Sequence, residues 1–367
     1  MPSFSVSPVL RSWVEVDPSA LRHNLALVRK TIGPRPEILA VIKADAYGHG
    51  AARVAKVLAH DVAVFGVANL SEARAVLAAG TGRQVILLSP CLPSEREEAV
   101  ATGLIVTVSS AEEAESCAAL GDAKVNFKVD TGMGRVGFGG GSAASEIARL
   151  AGRVHIHSIS THLPCSDEDE PFTRSQLEAF SRMAGEFRRL VPGAKIHSLN
   201  SAGILKFPGH AEDIVRAGLV LYGISPLPEF RHHFRAALAW KTRVTLVKDL
   251  PPGAGVCYGR TFIASRPTRT AVLAVGYADG FPRQVSGKGA RVLIRGIRCP
   301  LLGRVTMDQI VVDITGAGDI SPGEEVVILG NQGCETITAE DLAAQADTIP
   351  WDILTGIKGR VARIYPD

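Results

Sequence analysis

Long apolar runs are missing from this chain of 367 residues: no stretch reaches the length of a membrane span, and Met1 to Trp13 lack the basic-then-apolar pattern of a signal peptide. Both absences make a cytoplasmic protein the expectation. A strong charge of either sign is missing too. Forty basic against 37 acidic side chains leave a formal net charge of +3, interspersed rather than clustered, so there is no electrostatic case for nucleic acid or an anionic membrane surface. Cysteine is sparse. Cys91, Cys117, Cys165, Cys257, Cys299 and Cys334 are scattered without metal-ligand spacing, which predicts free thiols, no disulfide and no structural metal. With 46% hydrophobic and 21% charged residues the composition is that of an ordinary globular protein, and the length admits a large domain plus a second one.

Along the chain, Asp17 is a good helix N-cap with Pro18 at the first helical position. Strand-like runs then recur at Ile38 to Lys43, Val62 to Ala68, Val85 to Ser89, Leu104 to Val108, Lys124 to Asp130, Val154 to Ser160, Lys195 to Leu199 and Val215 to Tyr222, and helical stretches fill most of the gaps between them. Strands alternating with helices pair in parallel, and eight is the number that closes a (β/α)8 TIM barrel; an open doubly wound sheet competes, and the strand count favours the barrel. The run Lys124 to Asp130 alternates, which would turn Lys124, Asn126, Lys128 and Asp130 into a barrel interior, where charge is costly unless it is paired or serves chemistry. After a connection around Ser225 to Ala236 the pattern becomes β-rich, with one short helix near Ala339 to Ala346 behind the cap Thr338. The expected division is a barrel domain over 1–237, whose first residues could pack on the other domain, and a mainly β C-terminal domain over 238–367.

The chemistry gathers on Ala40 to Gly50, Ala-Val-Ile-Lys-Ala-Asp-Ala-Tyr-Gly-His-Gly. A buried strand ends here on Lys43, and a lysine in low-dielectric surroundings can lose its proton and become an amine nucleophile suited to an aldehyde cofactor. From Lys43 alone, a side chain that snorkels to solvent is the simpler reading. The whole motif reverses that preference, because it resembles the pyridoxal-phosphate lysine motif of alanine racemases. Further motifs follow in that family's order: Ser160-Thr161-His162-Leu163, Asn200-Ser201-Ala202, Val215-Arg216-Ala217-Gly218-Leu219, Val256-Cys257-Tyr258-Gly259, Gly276-Tyr277-Ala278-Asp279-Gly280 and Thr306-Met307-Asp308-Gln309, a likeness running from about Trp13 to Tyr365.

The resemblance implies a pyridoxal-phosphate-dependent isomerase that interconverts L- and D-alanine by a two-base mechanism and supplies D-alanine for peptidoglycan. It implies Lys43 and Tyr258 as the catalytic pair, Tyr258 reaching the site from the partner subunit, so that a homodimer carries two composite sites. Lys43, Tyr47, His162, Asn200, Ser201, Arg216, Gly218 and Leu219 would hold the cofactor, with Arg216 donating to the pyridine nitrogen. Arginine keeps its proton under ordinary conditions, so that nitrogen would stay unprotonated and the ring would be a restrained electron sink. Arg135 and Met307 would bind the substrate, Lys128 would be carbamylated to steady the arginine, and Tyr277 and Asp308 would shape the entrance.

One position departs from the family: aligning Arg360-Val361 puts Gly359 where many alanine racemases carry a tyrosine that donates to the cofactor phosphate. The smaller residue would widen tolerance toward serine, giving a broader alanine/serine racemase as the alternative. A pyridoxal-phosphate decarboxylase of the same architecture would instead carry an acidic partner for the pyridine nitrogen, and a single-barrel carrier of the cofactor would lack the β domain.

Overall fold

A computed structural model describes residues 10–139 and 141–366. They divide into two units: 19–46 with 50–235, and 10–18 with 47–49 and 236–366.

The first unit is built on eight parallel strands in the order Ile214–Ala217, Glu37–Val41, Val64–Val67, Gln84–Pro90, Ile105–Val108, Lys124–Asp130, His155–Ser160 and Lys195–His197. Leu39 stands opposite both Arg216 and Val64. The outermost strands are joined by two bonds, from Asp213 N–H to the Ile196 carbonyl (3.1 Å) and from Arg216 N–H to the Leu199 carbonyl (3.0 Å). The sheet is thus a nearly closed barrel. Its strands are short apolar runs, such as Val64–Val67 and Ile105–Val108, buried along their whole length, as parallel strands covered by helices must be. Three of the covering helices start on side-chain caps: Asn69, Ser110 and Asp169 accept the amides of Glu72, Glu113 and Phe172, each a contribution of about 1 kcal/mol.

The barrel interior is polar where the alternation of Lys124–Asp130 predicts it. Asn126 donates to Thr107 Oγ1 and accepts from Ser158 Oγ, both at 3.0 Å, so this buried amide is satisfied by the neighbouring strands. Asp130 is used differently: its carboxylate accepts the amides of Gly132 and Met133 and fixes the glycine-rich loop that follows.

Two stretches differ from expectation. Val215 to Tyr222 is strand only over Ile214–Ala217; Gly218 (φ −120°, ψ −99°) leaves the β region and Leu219–Tyr222 winds into a 3₁₀ turn. All four residues of that turn are buried and apolar, so hydrophobicity alone cannot tell them from strand. Lys195 to Leu199 is likewise strand only as far as His197.

The second unit is a nine-stranded sheet in the order Glu335–Ile337, Glu325–Gln332, Arg291–Ile294, Ile297–Leu302, Ile310–Asp313, Thr268–Leu273, Leu238–Leu250, Ser12–Val16 and Ala362–Ile364. Leu238–Leu250 also pairs with Glu325–Gln332, which curls the sheet back on itself. Trp13 and Trp240 fill its core, and Trp240 Nε1 donates to Ser12 Oγ at 2.9 Å. The helix Ala339–Ala346 begins on Thr338 as expected, with Asp341 completing a capping box. A further helix, Pro350–Gly356, and the strands Ser12–Val16 and Ala362–Ile364 add to the elements expected from the sequence; Ser12–Val16 lies between Leu238–Leu250, antiparallel to it, and Ala362–Ile364, parallel to it.

Candidate active site

Lys43 follows the strand Glu37–Val41, and the chain then does something rare for residues other than glycine. Ala44, Asp45, Ala46 and Tyr47 all have φ between 51° and 54°, a left-handed turn of four consecutive side-chain-bearing residues. Each such residue costs about 1–2 kcal/mol, so the turn persists only because its surroundings over-determine it. Asp45 provides part of that support by accepting Gly50 N–H on its carbonyl and Ala51 N–H on its carboxylate, both at 2.8 Å. The Lys43 ammonium is partly open to solvent and has no hydrogen-bond or ion-pair partner among the described residues. Crowding by the surrounding protein, then the positive Arg135, lower its proton affinity against the opposing pull of Glu72.

Arg216 is the most constrained charge in the barrel. Only 5% exposed, it donates from Nη1 to His197 Nδ1 (2.8 Å) and the His197 carbonyl (3.2 Å), and from Nη2 to the carbonyls of Thr161 (2.8 Å) and Ser198 (2.7 Å) and to His162 Nδ1 (3.3 Å). A guanidinium can only donate, so both histidines accept on Nδ1 and carry their proton on Nε2. Burial and the nearby arginine keep both imidazoles neutral, His162 lowered to about 2 and His197 well below its ordinary value. Burial lowers Arg216 itself only to about 10, so it remains cationic near neutrality. Its Nε–H is left without an acceptor among the described residues.

Lys128, half-buried with no partner among the described residues, is pushed well below the usual lysine range by burial and then by Arg216 and Arg135, with Asp130 opposing. That shift favours the neutral amine, the form that covalent modification requires. Ser201 Oγ accepts the amide of Gly218 at 3.2 Å and that of Val220 at 3.5 Å, which folds the chain after Arg216 onto the start of the turn carrying Ser201. Asn200 spends its side chain on protein: Oδ1 accepts from Gly203 N and Ser166 Oγ, and Nδ2 donates to the Leu163 carbonyl. Lys43, Arg135, His162 and Ser201 follow barrel strands, and Lys128 and Arg216 lie within the last residues of theirs, at the C-terminal side where barrels place their active sites.

The β unit carries the other predicted residues. Tyr258 is 72% exposed at the tip of the small hairpin Gly255–Val256/Phe262–Ile263; Met307 is 53% and Tyr277 39% exposed. Tyr277 and Met307 sit on two turns laced together, Tyr277 N–H bonding the Thr306 carbonyl and Ala278 N–H the Met307 carbonyl. Gly276 permits this approach, since a Cβ there would lie 2.3 Å from both the Thr306 and Met307 carbonyl oxygens. Arg360 binds Asp279 through two bonds (2.6 and 2.9 Å) and Asp308 through one (2.8 Å), holding one carboxylate from each turn. Tyr47 belongs with this unit, its phenol pushed up to about 12 by burial. A Cβ on Gly359 would meet nothing within 4 Å.

Sequence reasoning missed Glu72, His197, Arg360 and Arg363 as parts of this arrangement. Only His197 carried a signal: Lys195-Ile196-His197 alternates as the Lys124 strand does, with polar side chains on one face.

His157, deeper in the barrel, gives the fold a pH dependence. It sits at a bulge between the pairs Val125/Ile156 and Asn126/Ser158, is 8% exposed, and neither ring nitrogen has a hydrogen-bond partner among the described residues. Burial, then Lys195 and His155, lower its pKa to about 4, with Glu37 opposing and Lys124 assisting. The unfolded chain, titrating near 6.5, therefore binds the proton more readily. Stability is undiminished above that value and falls as pH drops towards 4, by roughly 2 kcal/mol at about pH 5 from this residue. Urea midpoints at about pH 5 and pH 7.5 should differ less in His157→Gln than in the wild type; an equal acid loss in both contradicts this assignment.

Comparisons with known proteins bear on both units. The family model "Alanine racemase, N-terminal domain" matches residues 16–226, and "Alanine racemase, C-terminal domain" matches 237–365. The alanine racemase of Methylacidiphilum infernorum is 41% identical over 99% of this chain and 95% of its own length. Among solved structures, an alanine racemase of Clostridium difficile superposes with a TM-score of 0.92 at 32% identity, covering 98% of this chain and 96% of that one. The structure of alanine racemase from Bartonella henselae with covalently bound pyridoxal phosphate superposes with a TM-score of 0.88 at 27% identity, covering 97% and 99%.

Proposed function

The chain belongs to the alanine racemase family, is a racemase that interconverts L- and D-alanine, and shares that family's dependence on pyridoxal phosphate; on that premise we propose which of its residues perform the reaction. The residues present fit the cofactor. Among the described residues Lys43 offers an amine of lowered proton affinity without a hydrogen-bond partner, and Arg216 an Nε–H without an acceptor. Ser201 with the amides beside Gly218 and Leu219, together with Tyr47, would hold the phosphate; Asn200 holds the loop that presents Ser201. When bound, pyridoxal phosphate supplies the sink for the electron pair left as the Cα proton departs.

Lys43 would anchor the cofactor, and its Nζ would move the proton on one face of the substrate Cα. Its lowered proton affinity favours the neutral amine that a base must be. The partner's Tyr258 moves the proton on the opposite face through its phenol oxygen, so two chains complete each site and the working form is a homodimer. The exposure of Tyr258 and Met307 on one chain is what such sharing needs, because a group wholly covered by its own chain cannot serve another. Arg135 pairs with the substrate carboxylate, the Met307 backbone adds a contact from the partner, Tyr277 and Asp308 line the way in, and a carbamylated Lys128 would give the cationic neighbourhood of Arg135 and Arg216 its anion.

The observation that carries this reading is the fixed guanidinium of Arg216. A decarboxylase or transaminase profits from a protonated, strongly electron-withdrawing ring, which an acidic partner at the pyridine nitrogen provides. A donor held by two neutral histidines and three carbonyls would leave that nitrogen unprotonated and would suit a proton that leaves and returns. The role we propose is the supply of D-alanine for the cell wall from the cytoplasm.

Gly359 bears on substrate range. A Cβ there has open space around it, so a side chain at this position starts without a backbone clash. With added pyridoxal phosphate the wild type should racemise both L-alanine and L-serine, and Gly359→Tyr should lower kcat/KM for serine relative to alanine by about tenfold. An unchanged ratio removes the broader-substrate reading. Absence of racemisation in the wild type would refute the residue assignments as a whole.

A further inference from the structure

The left-handed turn after Lys43 is not self-supporting. Four residues with side chains are held in a backbone region that glycine alone enters freely, and none of the four is glycine. Something outside the turn must fix it at both ends.

At its entry stands Glu72. One carboxylate oxygen accepts Ala44 N–H and the other accepts Ala68 N–H, both at 2.8 Å, so a single side chain ties the first residue of the turn to the end of the neighbouring barrel strand. The same carboxylate also supports the charged form of Lys43. At the exit stands Arg363. Its guanidinium donates to four backbone carbonyls: Gly48 (3.1 Å), Lys358 (2.7 Å), Val361 (2.7 Å) and Ile357 (2.9 Å). Tyr365 adds a bond from its hydroxyl to the His49 carbonyl at 2.8 Å. Gly48 itself has φ 82°, and a Cβ there would stand 2.4 Å from the Leu354 carbonyl oxygen, so the chain leaves the turn pressed against backbone. Only an arginine has the donors and planar fork to satisfy so many carbonyls at once.

We propose that Glu72 and Arg363 are positioning residues for catalysis, an anionic clamp at the entry and a cationic clamp at the exit of the strained turn that presents Lys43. They touch neither substrate nor cofactor. What they set is the direction of the lysine amine, which must both anchor the cofactor and reach Cα from one face. The proposal rests on Lys43 holding the catalytic role given above, and it predicts a loss in turnover rather than in substrate binding, because the carboxylate-binding groups lie on other elements.

Glu72→Gln replaces one accepting oxygen by an amino group facing an amide donor; Arg363→Met removes the fork, and Arg363→Lys keeps the charge with fewer directed donors. In the holoenzyme, amide hydrogen exchange in the segment 43–51 should accelerate by about tenfold in Glu72→Gln and Arg363→Met, with the barrel helices unchanged. In the same proteins kcat for alanine should fall by about tenfold or more with KM within about twofold, and Arg363→Lys should lie between wild type and Arg363→Met. Unchanged exchange in 43–51, or kcat within about twofold of wild type despite faster exchange, overturns the proposal. So does acceleration spread evenly over the barrel, which would make these residues supports of the whole fold. The exchange result does not depend on turnover, so a wild type lacking racemase activity would count against the assignment of Lys43 and leave the clamp to be judged by exchange.

Discussion

Lys43→Ala is expected to lower alanine racemisation by about a thousandfold or more, and to do so in a protein that is still folded. The size follows from two losses at one atom. The amine is the covalent anchor for the cofactor, and it is one of the two groups that must exchange a proton with Cα. The fold survives because Lys43 Nζ bonds no other described residue, so its removal leaves no buried partner unsatisfied. The purified variant should lose the visible absorbance of lysine-bound pyridoxal phosphate while keeping the wild-type far-UV spectrum. A variant that retains both the band and the activity would mean that another amine carries the cofactor.

Tyr258→Phe is the second large effect and the sharper one. The substitution removes a single oxygen from a ring that is 72% exposed on its own chain, so the stability of the chain should change by less than about 0.5 kcal/mol. Activity should nevertheless fall by about a hundredfold or more, the contribution of one positioned acid–base group. The loss should be one-sided. With Lys43 intact, one enantiomer of alanine continues to exchange its Cα hydrogen for solvent deuterium, while the other, whose proton faces the missing phenol, does not. Equal loss of exchange from both enantiomers would argue that Tyr258 shapes the site without handling a proton.

How much of this was legible in the sequence depends on whether the cause was local. The strand leading to Lys43, the cap Thr338 and the inward row of Lys124–Asp130 are set by neighbours a few residues away, and each reads directly from the chain. The left-handed turn does not, because Ala44, Asp45, Ala46 and Tyr47 have no glycine among them; their conformation is imposed by Glu72, 28 positions on from Ala44, and by Arg363, 315 positions on from Gly48. Arg360 is silent for the same reason, joining Asp279 and Asp308 across the length of the β unit. Leu219–Tyr222 was misleading in the opposite sense, since an apolar turn and an apolar strand share one pattern. The roles of Tyr258 and Met307 came from the family motifs; an exposed tyrosine on a hairpin tip says little alone.

The central claim is that the two bases facing each other across Cα come from different chains. Inactive Lys43→Ala and Tyr258→Phe proteins, mixed in equal amounts under conditions that let subunits exchange, test it directly. If each site takes Lys43 from one chain and Tyr258 from the other, every mixed dimer contains one whole site, and the mixture should recover roughly a quarter of wild-type activity. If both residues act within the same chain, no site in any mixed dimer is whole, and the mixture should stay as inactive as its parents.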